Sequence, residues 1–150
     1  MPSLRAVFLV TGLLGCTNPV GLSDRDELTL KLVENFSAGE LPDDAATIAA
    51  AQLTGRTLYL TVSYGGGCRT HRFALVTGRD LAESAPPYAR FHLAHDADGD
   101  PCDAYLTRVL VVDLSPIAPL VQQSGATALR FELVEPGQHP ASIGELLLTL

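Results

Sequence analysis

Two histidines and three nearby aspartates are the residues of this chain best suited to chemistry: His71, His95, Asp96, Asp98 and Asp100. Imidazole nitrogen together with carboxylate oxygen suits Zn²⁺ or Cu²⁺, so these five form a candidate divalent-metal set. The plainer alternative has each histidine half buried at a strand end, its nitrogens bonded to backbone carbonyls. Asp96-Ala97-Asp98-Gly99-Asp100 also invites a calcium reading. An EF-hand loop counted from Asp96 would need Gly and Glu where Pro101 and Thr107 stand, so that motif fails. A looser calcium site over the same carboxylates stays open, beside the ordinary role of aspartate in bonding turn backbone. Serine chemistry has no support, because no Ser lies in a Gly-x-Ser-x-Gly turn. Gly65-Gly66-Gly67 precedes a strand and lacks the Gly-Lys-Ser/Thr ending of a phosphate loop, so it reads as a bulge or tight turn. Asp43-Asp44 read as solvated loop residues, His92 as pointing to the opposite sheet face, and His139 as part of a Pro-rich turn.

Short strands must position these groups. Thr57 to Tyr64 alternates strictly, with Leu58, Leu60, Val62 and Tyr64 on one face. Thr70 to Val76 places His71, Phe73 and Leu75 together, and Arg90 to His95 does the same for Phe91, Leu93 and His95. If these two are antiparallel neighbours, the default for consecutive strands, His71 and His95 meet at one rim of the sheet. Tyr105 to Asp113 reads as a buried strand, and Ala128 to Leu133 and Glu145 to Leu150 as two more. Ser115-Pro116 looks like an N-cap with Pro at the first helical position, opening a short helix to Gln123. Leu28 to Leu32 alternates like a strand, although Ser23, Asp26 and the spacing of Leu28, Leu32 and Phe36 also suit a capped helix. The sum is an all-β fold, a small β-sandwich or partly open barrel of six to seven strands with one short helix.

Of the 150 residues 47% are hydrophobic and 18% charged, enough for one cored domain. A net charge of −7 makes nucleic acid a poor partner, since counterion release needs clustered cations. At the amino terminus Arg5 precedes an apolar run from Ala6 to Leu14. Spanning a bilayer takes about 20 apolar residues, whereas a secretory signal core needs only ~7–15.

Leu13-Leu14-Gly15-Cys16 resembles the lipobox of bacterial lipoprotein precursors. That resemblance covers the first sixteen residues. It implies cleavage after Gly15 and acylation of Cys16, and Thr17 in place of Asp implies outer-membrane sorting. With Cys16 lipidated, Cys68 and Cys102 remain as a pair for a disulfide in an oxidising compartment. Both fall just beyond the rim that carries the histidines. A pair of thiolates on a soft metal is the alternative. Either way, no free thiol nucleophile is left over.

Gly66-Gly67-Cys68 with His71 and Phe73, followed by His95-Asp96 with Asp100 and Cys102, resembles a pattern in small exported bacterial β-domains. The carboxy-terminal sandwich of NigD-like lipoproteins is similar over about residues 57–135, and the resemblance implies no activity. The expected organisation is a signal peptide over 1–15, a lipid-anchored tether over 16–27 and a β-sandwich over 28–150. The expected function is a non-catalytic structural or interaction module on the periplasmic face of the outer membrane. Its partner is the lipid bilayer through acylated Cys16, and no protein partner is named by the sequence. No cofactor is expected beyond a divalent metal, and the alternative function is a metal-binding periplasmic module using the His71, His95 and Asp96–Asp100 rim.

Overall fold

A computed structural model describes residues 25–137 and 142–150. Cys16, the signal segment, residues 16–24 of the tether and His139 lie outside the described residues. The described residues hold nine strands: β1 (Arg25–Thr29), β2 (Lys31–Val33), β3 (Ala46–Thr54), β4 (Thr57–Gly66), β5 (Arg72–Gly78), β6 (Tyr88–Asp96), β7 (Ala104–Asp113), β8 (Ala128–Val134) and β9 (Ser142–Thr149). One helix, α1 (Ala118–Gln123), follows a 3-10 turn over Ser115–Ile117. The strands make a four-stranded sheet in the order β1-β7-β4-β3 and a five-stranded sheet in the order β2-β5-β6-β8-β9. The all-β, sandwich-like reading stands.

Alternation built the core as the sequence indicates. Leu58, Leu60 and Val62 of β4 are fully buried, as are Leu110 and Val112 of β7. They share one apolar cluster with Leu75 of β5, Phe91 and Leu93 of β6, and Leu129, Phe131 and Leu133 of β8. Phe91 and Phe131 stack at 4.5 Å between ring centroids. Burying one such side chain contributes about 1.5–3 kcal/mol.

Several expectations need correction. Nine strands replace the expected six or seven, because Ala46–Thr54 adds β3 and the first strand is two. β3 reads Ala-Thr-Ile-Ala-Ala-Ala-Gln-Leu-Thr, and its pairing with β4 shifts register between Ile48 and Ala50. Small side chains and an irregularity together erase the period-2 signal. The Leu28–Leu32 segment is extended rather than helical, but it splits at buried Leu30. β1 lies parallel to β7 in one sheet and β2 parallel to β5 in the other, so Leu30 carries the chain between layers. The first strand begins at Arg25 rather than at Leu28. Ser115 does not cap the helix with its side chain; instead its N–H donates to Asp113 Oδ1 at 2.9 Å. β7 is half exposed, not buried, and Tyr105 keeps 79% of its surface in solvent.

Candidate functional site

The rim cluster forms where β4, β5 and β6 end together. β5 and β6 are antiparallel, with Phe73 opposite His95. His71 lies just before β5 rather than inside it, because β5 starts at Arg72. The two imidazoles nevertheless meet: His71 Nδ1 and His95 Nε2 are 2.8 Å apart. Phe73 stacks on His95 at 4.4 Å with rings 3° from parallel. Tyr64 of β4 covers both, its ring centroid 4.7 Å from that of His71 and 5.3 Å from that of His95. Only 5% of His71 and 1% of His95 is exposed, so neither is a surface ligand.

Asp100 ties this pair to the loops. Its Oδ2 accepts the N–H groups of Gly67, Cys68 and Arg69 at 2.8, 2.9 and 2.9 Å. The same oxygen lies 3.0 Å from His71 Nε2, and Oδ1 accepts Cys102 N–H at 2.9 Å. Successive N–H groups converging on one oxygen make an anion-binding nest. The glycines are needed for it. Gly66 and Gly67 have φ of 148° and 120°, and a Cβ on Gly66 would run into the His71 ring and come within 2.9 Å of Asp100 Oδ2. Cys68 and Cys102, whose N–H groups both bond Asp100, are joined by a disulfide with Cα atoms 5.8 Å apart.

The five residues assigned from sequence to a metal do not converge on one point. Asp96 pairs with Arg72 at 2.9 Å and accepts Asp98 N–H at 2.9 Å, while Asp98 faces Arg69 and Arg72 at 3.7 and 3.8 Å. These are surface ion pairs and a local turn bond, worth little individually. An ion on His71 and His95 would have to break the direct bond between the rings. Among the described residues, the trio of ligand types whose donor atoms lie within 4.8 Å of one another is Cys68, Asp100 and Cys102, and two of those are in the disulfide.

Asp44 joins the cluster without any sequence pattern to mark it. Its backbone carbonyl lies 3.1 Å from His95 Nδ1, and its carboxylate accepts Ala97 N–H at 2.7 Å. Asp44 is thus exposed but engaged, rather than merely solvated. It stands 51 residues from His95, and no local pattern points to the contact. His92 does face away from this cluster, but it is half buried against Phe36, with rings 5.1 Å apart.

Electrostatics follow from these contacts. Desolvation pushes the Asp100 carboxyl up, but hydrogen bonds from Cys102 N–H, His71, Arg69 N–H and Cys68 N–H outweigh it and hold it well below the usual carboxylate range. Burial lowers His95, against a smaller opposing effect of its bond to the Asp44 backbone, and burial lowers His92 as well. A depressed histidine resists a proton when folded and takes it at the ordinary value, about 6.5, when unfolded. The unfolded chain therefore binds more protons below that pH, and stability is lost as pH falls. Asp100 acts with the same sign below about 3.9. Denaturant midpoints should fall as pH drops from 7 to 5 and fall further below 4. His95→Gln should flatten the upper part of that decline, and an unchanged slope would contradict this assignment.

No family model matches the sequence, and none of the curated proteins matches it. Solved structures do share the fold. A NigD-like immunity protein from Bacteroides caccae aligns over 79% of this chain and 59% of its own, at 19% identity and a TM-score of 0.51. A candidate toxin-related protein from Parabacteroides distasonis aligns over 81% and 61%, at 16% identity and a TM-score of 0.57. A candidate lipoprotein from Bacteroides fragilis aligns over 81% and 70%, at 12% identity and a TM-score of 0.52. The chain spans less than two thirds of the first two. At these identities the likeness is one of fold.

Proposed function

We propose that this chain is an envelope lipoprotein whose β-sandwich is a non-catalytic structural or interaction module, held by acylated Cys16 to the outer membrane and facing the periplasm. The observation that carries the non-catalytic reading is the closure of the rim. The groups with the strongest chemical potential, His71, His95 and Asp100, are bonded to one another and to backbone, with the two rings sealed under Tyr64 and Phe73. A general base must reach a substrate proton, and these nitrogens face protein instead.

The location rests on the short apolar run that ends at Cys16 and on the Cys68–Cys102 disulfide, which suits an oxidising compartment. The candidate lipoprotein that shares the fold lends it further support. No helix among the described residues is long and apolar enough to cross a membrane. Anchoring would then fall to acyl chains, each buried methylene contributing about 0.8 kcal/mol. Cells fed a fatty-acid analogue should label the wild-type chain in the membrane fraction. Cys16→Ala should abolish the label and release the chain from that fraction; label retained by the mutant would refute the anchor.

A further inference from the structure

We infer that His71 and His95 together hold three ring protons, forming one buried cation that pairs with Asp100 and keeps the disulfide rim closed. The count follows from the ends of a four-nitrogen chain. At one end His71 Nε2 faces Asp100 Oδ2 at 3.0 Å. That oxygen already receives three backbone N–H groups, and its partner oxygen receives the Cys102 N–H, so the carboxylate is surrounded by donors and acts as an acceptor. His71 Nε2 must therefore carry a proton. At the other end His95 Nδ1 faces the Asp44 carbonyl at 3.1 Å, and a carbonyl only accepts. His95 Nδ1 must carry a proton too. Between the rings, the 2.8 Å contact of His71 Nδ1 with His95 Nε2 holds one proton, because two would clash and none would leave two lone pairs opposed. Two neutral imidazoles carry two protons in all. Three make the pair a monocation.

The surroundings fit a single charge. Asp100 supplies the compensating anion from the loop after β6, with 2% of its side chain exposed. Tyr64 of β4 offers its ring to both imidazoles, and Arg108 of β7 sits 5.8 Å over that same ring. Along β6, Asp96 is engaged by Arg72 of β5. From the segment before β3, Asp44 gives its carboxylate to Ala97 N–H, and Asp43 lies in a backbone bridge with His95. Asp100 is thus the carboxylate that bonds a ring of the pair directly.

The coupling runs outward through Asp100. Removing the third proton leaves one end of the chain, or the shared bond, without its donor. With the Asp100 end stripped, a ring lone pair would face the nested carboxylate, and the nest spans Gly67, Cys68, Arg69 and Cys102. Loss of that proton should be felt across the whole rim.

Nitrogen-15 shifts of the four ring nitrogens, read by long-range correlation on the folded chain at neutral pH, test the count directly. The expected pattern is three protonated nitrogens and one bare. Two neutral rings, or two doubly protonated ones, would overturn the inference. On raising pH, the amide signals of Gly67, Cys68, Arg69 and Cys102 should move in step with the third proton; amides that stay fixed would overturn the coupling. In Asp100→Asn, which keeps a carbonyl acceptor but removes the charge, the three-proton pattern should collapse to two at a lower pH than in the wild type. A variant that loses it at the same pH would overturn the pairing, and the wild-type spectrum decides the count even if that variant does not fold.

Discussion

Phe131→Ala is expected to lower the unfolding free energy by about 3–5 kcal/mol, shifting the denaturant midpoint with little change in slope. Phe131 is fully buried, stacks on Phe91, and sits on β8 between β6 and β9, so its loss opens a cavity on the five-stranded sheet's inner face. Neighbours fixed in both sheets cannot collapse far into that space. A small domain has only about 5–15 kcal/mol in total, so the variant should be near the edge of folding at 37 °C. The contrast is Leu147→Ala on β9, at 56% exposure, which should change stability by no more than about 0.5 kcal/mol. Equal effects from the two substitutions would contradict the assignment of inner and outer faces.

Breaking the Cys68–Cys102 disulfide, as Cys68→Ser with Cys102→Ser, is expected to cost about 3–4 kcal/mol from the entropy of the loop it closes, which spans 34 residues of sequence. Urea titration of oxidised and double-serine chains side by side measures the difference. The native state keeps a second tie at the same place, because Asp100 bonds the backbone on both sides of the bridge and holds the same two loops together without it. The variant should therefore remain folded, while amides of Gly67, Cys68 and Arg69 exchange faster than in the wild type. A double-serine chain as stable as the oxidised one would show that the nest alone closes the rim.

How much of this could be read in advance depends on the range of the interaction. Faces were legible: Leu58, Leu60, Val62 and Tyr64 announce their side of β4 by alternation, and the antiparallel default for consecutive strands brings His71 and His95 to the same rim. Period-2 patterning works where side chains are large and the register unbroken. β3 has neither property, with four alanines and a register shift after Ile48, so its strand became visible only when β4 supplied the partner. The two short parallel strands were hidden for another reason. Their pairing with β7 and β5 depends on where those strands lie in space, and five residues of alternation cannot specify a crossing between sheets at Leu30.

The site divides in the same way. Residue types placed Asp100 among metal ligands, because carboxylate, imidazole and thiol are the usual donors. What turned it into the centre of a backbone nest was the path of Gly66 and Gly67, whose positive φ values aim three consecutive N–H groups at one oxygen. Spacing shows the glycines but not the direction of their amides. Asp44 contributes through a backbone carbonyl, and backbone chemistry carries no residue-type signal at all.

One measurement tests the proposed function most directly: the intact mass of the chain extracted from membranes of its native host without reductant. The expected species is a polypeptide that begins at Cys16, carries added acyl mass, and is two hydrogens lighter than the dithiol form. A water-soluble chain that retains residues 1–15, bears no acyl group and has free thiols at Cys68 and Cys102 would contradict it.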